Sequence, residues 1–316
     1  MNIVLLDAGT LGDDLDLSVF DAVGNKTVYK TTAPEKVEER IKTADVVVIN
    51  KVKLNEANLS TAENLKLICI AATGFDNVDL EYARKKGIAV CNVKGYSTDS
   101  VAQLTVSLAL SLVCHLNEYD YYCKSGKYTE SGIQNCLTPV IYELSGKTWG
   151  IYGYGNIGKK VADVARALGC KVIVCKRTPE ENTECVSLSE LFERADIISV
   201  HTPLNDGTRG SVNEKVLDGV KKGLILVNTA RGAVFNEEAV VKAVENGVIK
   251  GLATDVYSVE PMTTDSPYNR LKDCKNVIFT PHNAWGAYES RVRLLSEMVK
   301  NIEAFFSGEI RNRVDL

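Results

Sequence analysis

The strongest constraint on this chain is an alternation. Short runs rich in β-branched residues, at 3–6, 46–49, 67–71, 148–152, 171–175, 197–200, 224–228, 251–255 and 277–280, are separated by helical patterns, among them 35–43, 159–168, 188–194 and 237–246. A strand, a helix and a further strand in succession form a parallel crossover unit, because the helix carries the chain back along the sheet. The pattern therefore predicts an α/β protein built from two doubly wound, parallel sheets. At 316 residues the chain is long for one core and comfortable for two. No shift of composition marks the boundary. It is placed by the uncharged helix that begins near Ser100, with Thr148 opening the second unit. A final helix at 289–306 can return to the first unit and make that unit discontinuous.

Between the run ending at Tyr152 and the helical pattern that follows stands Gly153-Tyr154-Gly155-Asn156-Ile157-Gly158. Alone, this spacing is weak. Flanked by a strand and a helix, with the next strand one unit on, it describes a pyrophosphate-binding turn. Gly153 permits the tight turn, Gly155 lets the backbone approach the phosphates, and Gly158 allows close packing of helix on strand. The amides of Asn156 and Ile157 open the helix, whose unpaired N–H groups attract an anion.

The end of the next strand selects the cofactor. A carboxylate there would hold ribose hydroxyls and repel a 2′-phosphate. The sequence instead reads Cys175-Lys176-Arg177-Thr178. Two cations and a hydroxyl favour NADP(H), since an arginine can pair bidentately with a phosphate. The competing arrangement has Lys176 and Arg177 facing water, with Glu180 or Glu181 folded back onto the ribose and NAD(H) as the cofactor.

Three further strand ends carry chemistry. Asn228-Thr229-Ala230-Arg231-Gly232 places an arginine past one strand. Asp255 closes the next and Glu260 lies in its loop, before Pro261. Thr280-Pro281-His282-Asn283-Ala284-Trp285 follows the last. Ligands of open α/β sheets bind at the carboxyl ends of strands, so these residues are expected to converge. Reducing a 2-oxo acid adds hydride to the carbonyl carbon and a proton to its oxygen. A histidine titrates near neutral pH and can exchange that proton. A carboxylate on its other ring nitrogen fixes the tautomer, and an arginine binds the substrate carboxylate and polarises the carbonyl. Read singly, each is a turn or surface residue; together, downstream of the glycine turn, they read as a catalytic set. His115, in the uncharged helix, reads as core or interface. His201, at a strand end, can line the cofactor cleft but has no carboxylate partner in the sequence.

These motifs, with Ala71-Ala72-Thr73-Gly74-Phe75-Asp76-Asn77-Val78-Asp79, resemble the D-isomer-specific 2-hydroxyacid dehydrogenase family over nearly the whole chain. The resemblance implies a Rossmann cofactor domain, residues 97–282, inserted in a flavodoxin-like substrate domain, residues 1–96 and 283–316. It implies Arg231 as the substrate arginine, Glu260 as the carboxylate and His282 as the proton donor. Ala72, Thr73 and Gly74 would offer amides to the substrate carboxylate, and Asp255 would meet the nicotinamide carboxamide. Thr229 and Ala230 join the cofactor set; Lys51 and Trp285 join the substrate set. Gly95-Tyr96-Ser97-Thr98-Asp99-Ser100-Val101-Ala102-Gln103, Asn50-Lys51-Val52 and Glu143-Leu144-Ser145-Gly146-Lys147-Thr148 look like the glycerate dehydrogenase (hydroxypyruvate reductase) branch. The expected activity is reversible reduction of a small 2-oxo acid of the hydroxypyruvate or glyoxylate type to the D-2-hydroxy acid. Lys176-Arg177 departs from members that use NAD and carry an acid there.

Other classes fare less well. With 45% hydrophobic and 25% charged residues the composition is globular. Net charge is -4 and no segment concentrates Lys and Arg, against a nucleic-acid partner. The start, Met1 then Ile3-Val4-Leu5-Leu6 closed by Asp7, lacks a signal peptide's basic start and longer apolar stretch. The uncharged stretch 100–117 is marginal for a membrane span and carries a polar stripe, Gln103, Ser107, Ser111 and His115, so no membrane is expected. Its many apolar positions, and the family resemblance, point to a homodimer. Nine cysteines with no Cys-x-x-Cys pair and no zinc spacing suit reduced thiols in a cytoplasmic protein, with no metal. Two rivals share parts of the pattern. A nucleotide-sensing binding protein such as the C-terminal-binding-protein corepressors resembles this fold, but no interaction tail is evident. Formate or phosphite oxidation protonates no carbonyl, and Glu260 argues against it.

Overall fold

Runs that are apolar at every position become strands covered on both faces. All four residues of Val46–Ile49 and all four of Leu67–Ile70 are buried, as expected of the interior of a parallel sheet. The computed structural model describes residues 1–316 and divides them into two units, Met1–Ser97 with Gly286–Leu316, and Thr98–Trp285.

In the first unit β1 (Asn2–Leu5), β2 (Asn25–Val28), β3 (Val46–Ile49), β4 (Leu67–Ile70) and β5 (Ala89–Cys91) form one sheet in the order β2-β1-β3-β4-β5, every pair parallel. This is the flavodoxin-like order. Its core gathers Leu6, Ile41, Ile49, Leu54, Leu59, Ile68 and Val90. The helix Tyr288–Phe306 belongs to this unit: Leu294, Leu295, Met298 and Ile302 are buried, and Asn301 Nδ2 donates to the Asn92 carbonyl at 2.9 Å. Two strands escape the sequence pattern. β2 reads Asn-Lys-Thr-Val and is mostly exposed, as an edge strand can be, and β5 is only three residues long.

The second unit contains β6 (Thr148–Tyr152), β7 (Lys171–Cys175), β8 (Ile197–Val200), β9 (Leu224–Asn228), β10 (Ile249–Thr254) and β11 (Val277–Phe279). They form one parallel sheet in the order β11-β10-β9-β8-β6-β7. Beyond β7 a single residue extends it: Cys185 bridges Val174 in parallel, with Val174 N donating to Glu184 O at 2.9 Å and Val186 N to Val174 O at 2.8 Å. Counting that residue as a rudimentary strand gives the Rossmann order 3-2-1-4-5-6 plus one further strand. The chain reverses its direction of growth between β6 and β8, and the glycine turn leaves β6 at that point. Trp149 on β6 is fully buried, and its indole N–H is satisfied by Ser199 Oγ at 3.0 Å.

The uncharged helix runs over Thr98–Val113 and stops at His115, whose φ of 51° breaks it before Leu116–Lys124. Val101, Ala102, Leu108, Ala109, Leu112 and Val113 are buried within the unit, against the helix Asn156–Ala167 and strands β9 and β10. Most of its apolar positions are thus used internally and do not need a second copy. The exposed apolar surface lies just beyond: Leu116, Tyr121, Ile133, Leu137, Val140, Ile141 and Tyr142.

Candidate active site

The turn after β6 has the geometry an anion requires. Gly153 has φ of +96°, and a Cβ there would lie 2.5 Å from the Thr202 amide nitrogen. Its own N–H donates to Cys175 O at 2.9 Å, which sets the turn against the end of β7. The helix Asn156–Ala167 begins at Gly155 with no side-chain cap, so its first N–H groups, including those of Asn156 and Ile157, are left for a ligand. A Cβ at Gly155 would meet nothing within 4 Å, which leaves open space in front of that helix end. The residues present therefore fit a dinucleotide pyrophosphate.

Lys176, the first residue past β7, is paired. Glu180 folds back so that its Oε2 lies 2.5 Å from Lys176 Nζ and its Oε1 2.6 Å from Lys159 Nζ. Hydrogen bonds from Lys159 and then Lys176 hold the Glu180 carboxyl below its ordinary range. Arg177 and Thr178 are exposed, and Arg177 has no ion pair. The sequence offered Glu180 or Glu181 as a carboxylate folding back onto the ribose; the contact of Glu180 with Lys159 and Lys176 emerges only in the fold.

Past β9, Asn228 builds the arginine turn: its Oδ1 accepts from Ala230 N at 3.0 Å and its Nδ2 donates to Arg231 O at 3.0 Å. Arg231 is half-buried, its Nη1 donating to Ala230 O at 2.7 Å. Thr229 is tied to the long helix through its hydroxyl contact with Thr105 at 2.8 Å. At Gly232 a Cβ would lie 2.0 Å from the Tyr257 carbonyl carbon, so the loops after β9 and β10 touch backbone to backbone.

Past β10 and β11 the remaining residues converge. Glu260 Oε2 lies 2.6 Å from His282 Nδ1, and Glu260 Oε1 accepts the Tyr257 amide at 3.0 Å. With a carboxylate as acceptor Nδ1 carries the proton, so Nε2 is the nitrogen left for exchange. Asp255 is fully buried, and its oxygens accept from Thr280 Oγ1 at 2.6 Å and from the amides of Asn283 and Ala284, each at 2.9 Å. It thereby shapes the loop that carries His282, whose φ is 52°. Trp285 Nε1 donates to His282 O at 2.9 Å. Burial, reinforced by Asp255, Glu260 and Glu237, pushes the Tyr257 hydroxyl up to about 12, so it remains a donor, bonded to Thr280 O at 2.9 Å. Sequence reasoning gave no role to Asn228, Tyr257 or Thr280: Asn228 and Thr280 stand in the quoted motifs, but Asn228 works by a local turn and Thr280 and the Tyr257 hydroxyl by contacts 23 to 25 positions apart.

In the first unit the expected substrate residues lie on two loops. Lys51 is exposed on a loop whose amides at Asn50, Lys51 and Val52 all donate to the buried Asp7 carboxylate, at 2.9, 2.6 and 3.0 Å. Asn77 Nδ2 donates to the Asn50 and Val52 carbonyls, at 3.2 and 3.0 Å, and so joins that loop to the one after β4. On this second loop the carbonyls of Ala72 and Thr73 accept from Val93 N and Asn92 Nδ2. The amides of Ala72, Thr73 and Gly74 donate to no group of the chain, and such a row of free N–H groups suits a carboxylate.

The two other histidines stand apart. His115 Nδ1 pairs with Glu118 at 2.8 Å. His201 Nε2 meets Ser199 Oγ at 3.0 Å, and burial pushes its ring down to about 3, which keeps it neutral.

Comparison with known proteins agrees with this geometry. Residues 106–284 match the family described as D-isomer specific 2-hydroxyacid dehydrogenase, NAD binding domain. The chain is 37% identical to a hydroxypyruvate reductase of Blautia hydrogenotrophica over the full length of both. It is 34% identical to a glycerate dehydrogenase of Methylorubrum extorquens, covering 99% of this chain and 98% of that one. Among solved structures, D-lactate dehydrogenase from Aquifex aeolicus complexed with NAD and lactic acid is similar, with a TM-score of 0.86 at 30% identity over 100% and 99% of the two chains. The chain belongs to the D-isomer-specific 2-hydroxyacid dehydrogenase family, as an oxidoreductase that acts on 2-oxo acids with a nicotinamide cofactor.

Proposed function

We propose that the chain reduces a small 2-oxo acid of the hydroxypyruvate or glyoxylate type to its D-2-hydroxy acid, reversibly, with NADP(H) favoured over NAD(H). The observation that carries the catalytic part is the His282–Glu260 contact of 2.6 Å past β11 and β10, at the carboxyl edge of the sheet whose neighbouring strand β9 leads to Arg231. The full-length match to relatives named hydroxypyruvate reductase and glycerate dehydrogenase supports the substrate class.

When bound, the reduced nicotinamide supplies the hydride. The uncapped amides opening the helix Asn156–Ala167 would hold the pyrophosphate of that cofactor. Glu260 keeps the Nδ1 proton of His282 in place, so Nε2 gives its proton to the substrate oxygen in reduction and recovers it in oxidation. Arg231 binds the substrate carboxylate and polarises the carbonyl. In the first unit the free amides of Ala72, Thr73 and Gly74 are donors suited to a carboxylate, and Lys51, like Trp285 of the second unit, is proposed as a substrate residue. Asp255 holds the His282 loop in register. Lys176, Arg177 and Thr178, just past β7, would meet the adenosine ribose of a bound cofactor, where cations favour a 2′-phosphate.

We also place the protein in the cytoplasm as a homodimer. All nine cysteines are free, as in a reducing compartment, and no single helix is long and apolar enough to cross a membrane. The exposed apolar residues between Leu116 and Tyr142 form the surface for a second copy.

The test is a panel of 2-oxo acids, including hydroxypyruvate, glyoxylate and pyruvate, assayed with NADH and NADPH. Highest kcat/KM on hydroxypyruvate or glyoxylate with NADPH is the expected result. Preference for a bulkier 2-oxo acid overturns the substrate reading, and preference for NADH overturns the cofactor reading.

A further inference from the structure

The glycine turn and the end of β7 share a small ionic cluster. Tyr154, between the first two glycines of the turn, presents its ring to both Lys159 and Lys176, each ammonium 5.7 Å from its centroid. Glu180 closes over the pair, one carboxylate oxygen on each lysine. Arg177 remains outside this cluster, exposed and without an ion pair.

We propose that Glu180 is an internal counter-anion: it occupies the cationic site that an adenosine 2′-phosphate would otherwise take, and cofactor choice is set by competition between the two. The argument is one of charge. Lys159, Lys176 and Arg177 bring three positive charges beside the turn, and Glu180 neutralises one of them through two contacts. A phosphate monoester carries a charge of about -1.5 to -2 at neutral pH, so it pairs with lysines only where the carboxylate withdraws, or it pays repulsion where the carboxylate stays. Unphosphorylated ribose makes no such demand, and Glu180 can remain on its lysines while NAD(H) binds. The carboxylate therefore acts against NADP(H) specifically. It differs from an acid that ligates ribose hydroxyls, because its two oxygens are already held by lysines. The pairs are partly exposed, with side-chain exposures of 20–47%, so solvent screens them and the effect is moderate. Removing the charge is expected to shift the preference by about tenfold.

This inference rests on the reading that the turn binds a nicotinamide dinucleotide, and it is judged separately from the preference of the unaltered protein. Dissociation constants for NADPH and NADH are measured by fluorescence titration for the unaltered protein, Glu180→Gln and Glu180→Asp, with melting curves to confirm folding. The expected result is that the ratio Kd(NADH)/Kd(NADPH) rises about tenfold in Glu180→Gln and by much less in Glu180→Asp, which keeps the charge. An unchanged ratio in Glu180→Gln overturns the inference, as does an equal shift in both variants. A fall in the ratio overturns it too. Preference of the unaltered protein for NADH overturns the NADP(H) reading alone.

Discussion

The imidazole of His282 is held by Glu260 from one side only: the 2.6 Å contact engages Nδ1, and the other Glu260 oxygen is fixed by the Tyr257 amide at 3.0 Å. A carboxylate anchored in this way orients the ring without competing for Nε2. His282→Ala should lower kcat by ~10²–10⁴-fold while the cofactor dissociation constant stays within a few-fold. Steady-state kinetics with the preferred 2-oxo acid, beside a cofactor titration, checks both; turnover at the unaltered rate removes His282 from the mechanism.

Gly232 gives a second prediction. A Cβ there would overlap the Tyr257 backbone, and Tyr257 is the residue whose amide anchors Glu260. Gly232→Ala should therefore separate the loops after β9 and β10, costing activity through Arg231 and Glu260 together. A clash with backbone costs about 1–3 kcal/mol or more, read as a lowered melting midpoint alongside the lost kcat. Full activity at an unchanged midpoint contradicts the close approach.

Cofactor preference should respond to the residues after β7. Lys176→Asp combined with Arg177→Ala should reverse a preference for NADPH. The loss corresponds to about 1.5–3 kcal/mol for a charge-assisted contact, on the order of ten- to a hundredfold in affinity. Kinetics with both cofactors measures it, and a double variant that keeps the preference places the 2′-phosphate elsewhere.

Assembly is checked by light scattering. The monomer mass is 34.5 kDa, so a dimer scatters as twice that. Leu137 is 76% exposed and Ile141 50%; changing both to Asp should convert the dimer to the monomer without loss of the cofactor site. A monomer in the unaltered protein at micromolar concentration refutes the dimer itself.

His201 predicts a pH dependence of stability. Burial lowers its folded-state value to about 3, below the ordinary 6.5, so the unfolded chain takes up the proton first. Its neutral form costs nothing above 6.5, and stability falls as pH drops from 6.5 toward 3. The slope is at most about 1.4 kcal/mol per pH unit and less for a ring that is only partly sequestered. His201→Asn should flatten that part of the curve in urea titrations between pH 7 and 4. Equal slopes in the two proteins would show that the ring is protonated when folded.

What was legible in the sequence follows from how local each cause is. Val46–Ile49 and Leu224–Asn228 announce strands because parallel sheets bury both faces, so the pattern and the packing coincide. β2 gives no such sign, since an edge strand can be built from Asn, Lys and Thr. Arg231, Glu260 and His282 were visible because each lies just past a strand end. Asp255 was visible as a residue, but its hold on the His282 loop depends on contacts with Thr280, Asn283 and Ala284 across 25 to 29 positions. The uncharged stretch 100–117 was read as an interface from its apolar content and the family resemblance; the sequence does not show that a second helix and two strands bury Ala102, Leu108, Ala109 and Leu112 within the unit. Glu180 bending back onto Lys159 and Lys176 is a choice among rotamers that only the folded surface makes.

The lone Cys185–Val174 bridge has a consequence for how this protein can diverge. Where a full strand would couple every residue of the following segment to the sheet, here the backbone from Lys176 to Glu184 is joined to the sheet only at its two ends, and Glu180 reaches out to Lys159 by its side chain alone. Insertions, deletions and charge reversals within it leave the ladder of β6 and β7 untouched, so selection can rewrite this stretch at little risk to folding. The nicotinamide side has no such freedom, because its loops touch backbone to backbone at Gly232. Descendants of this chain should therefore vary first in the nucleotide they recruit and last in the chemistry they perform.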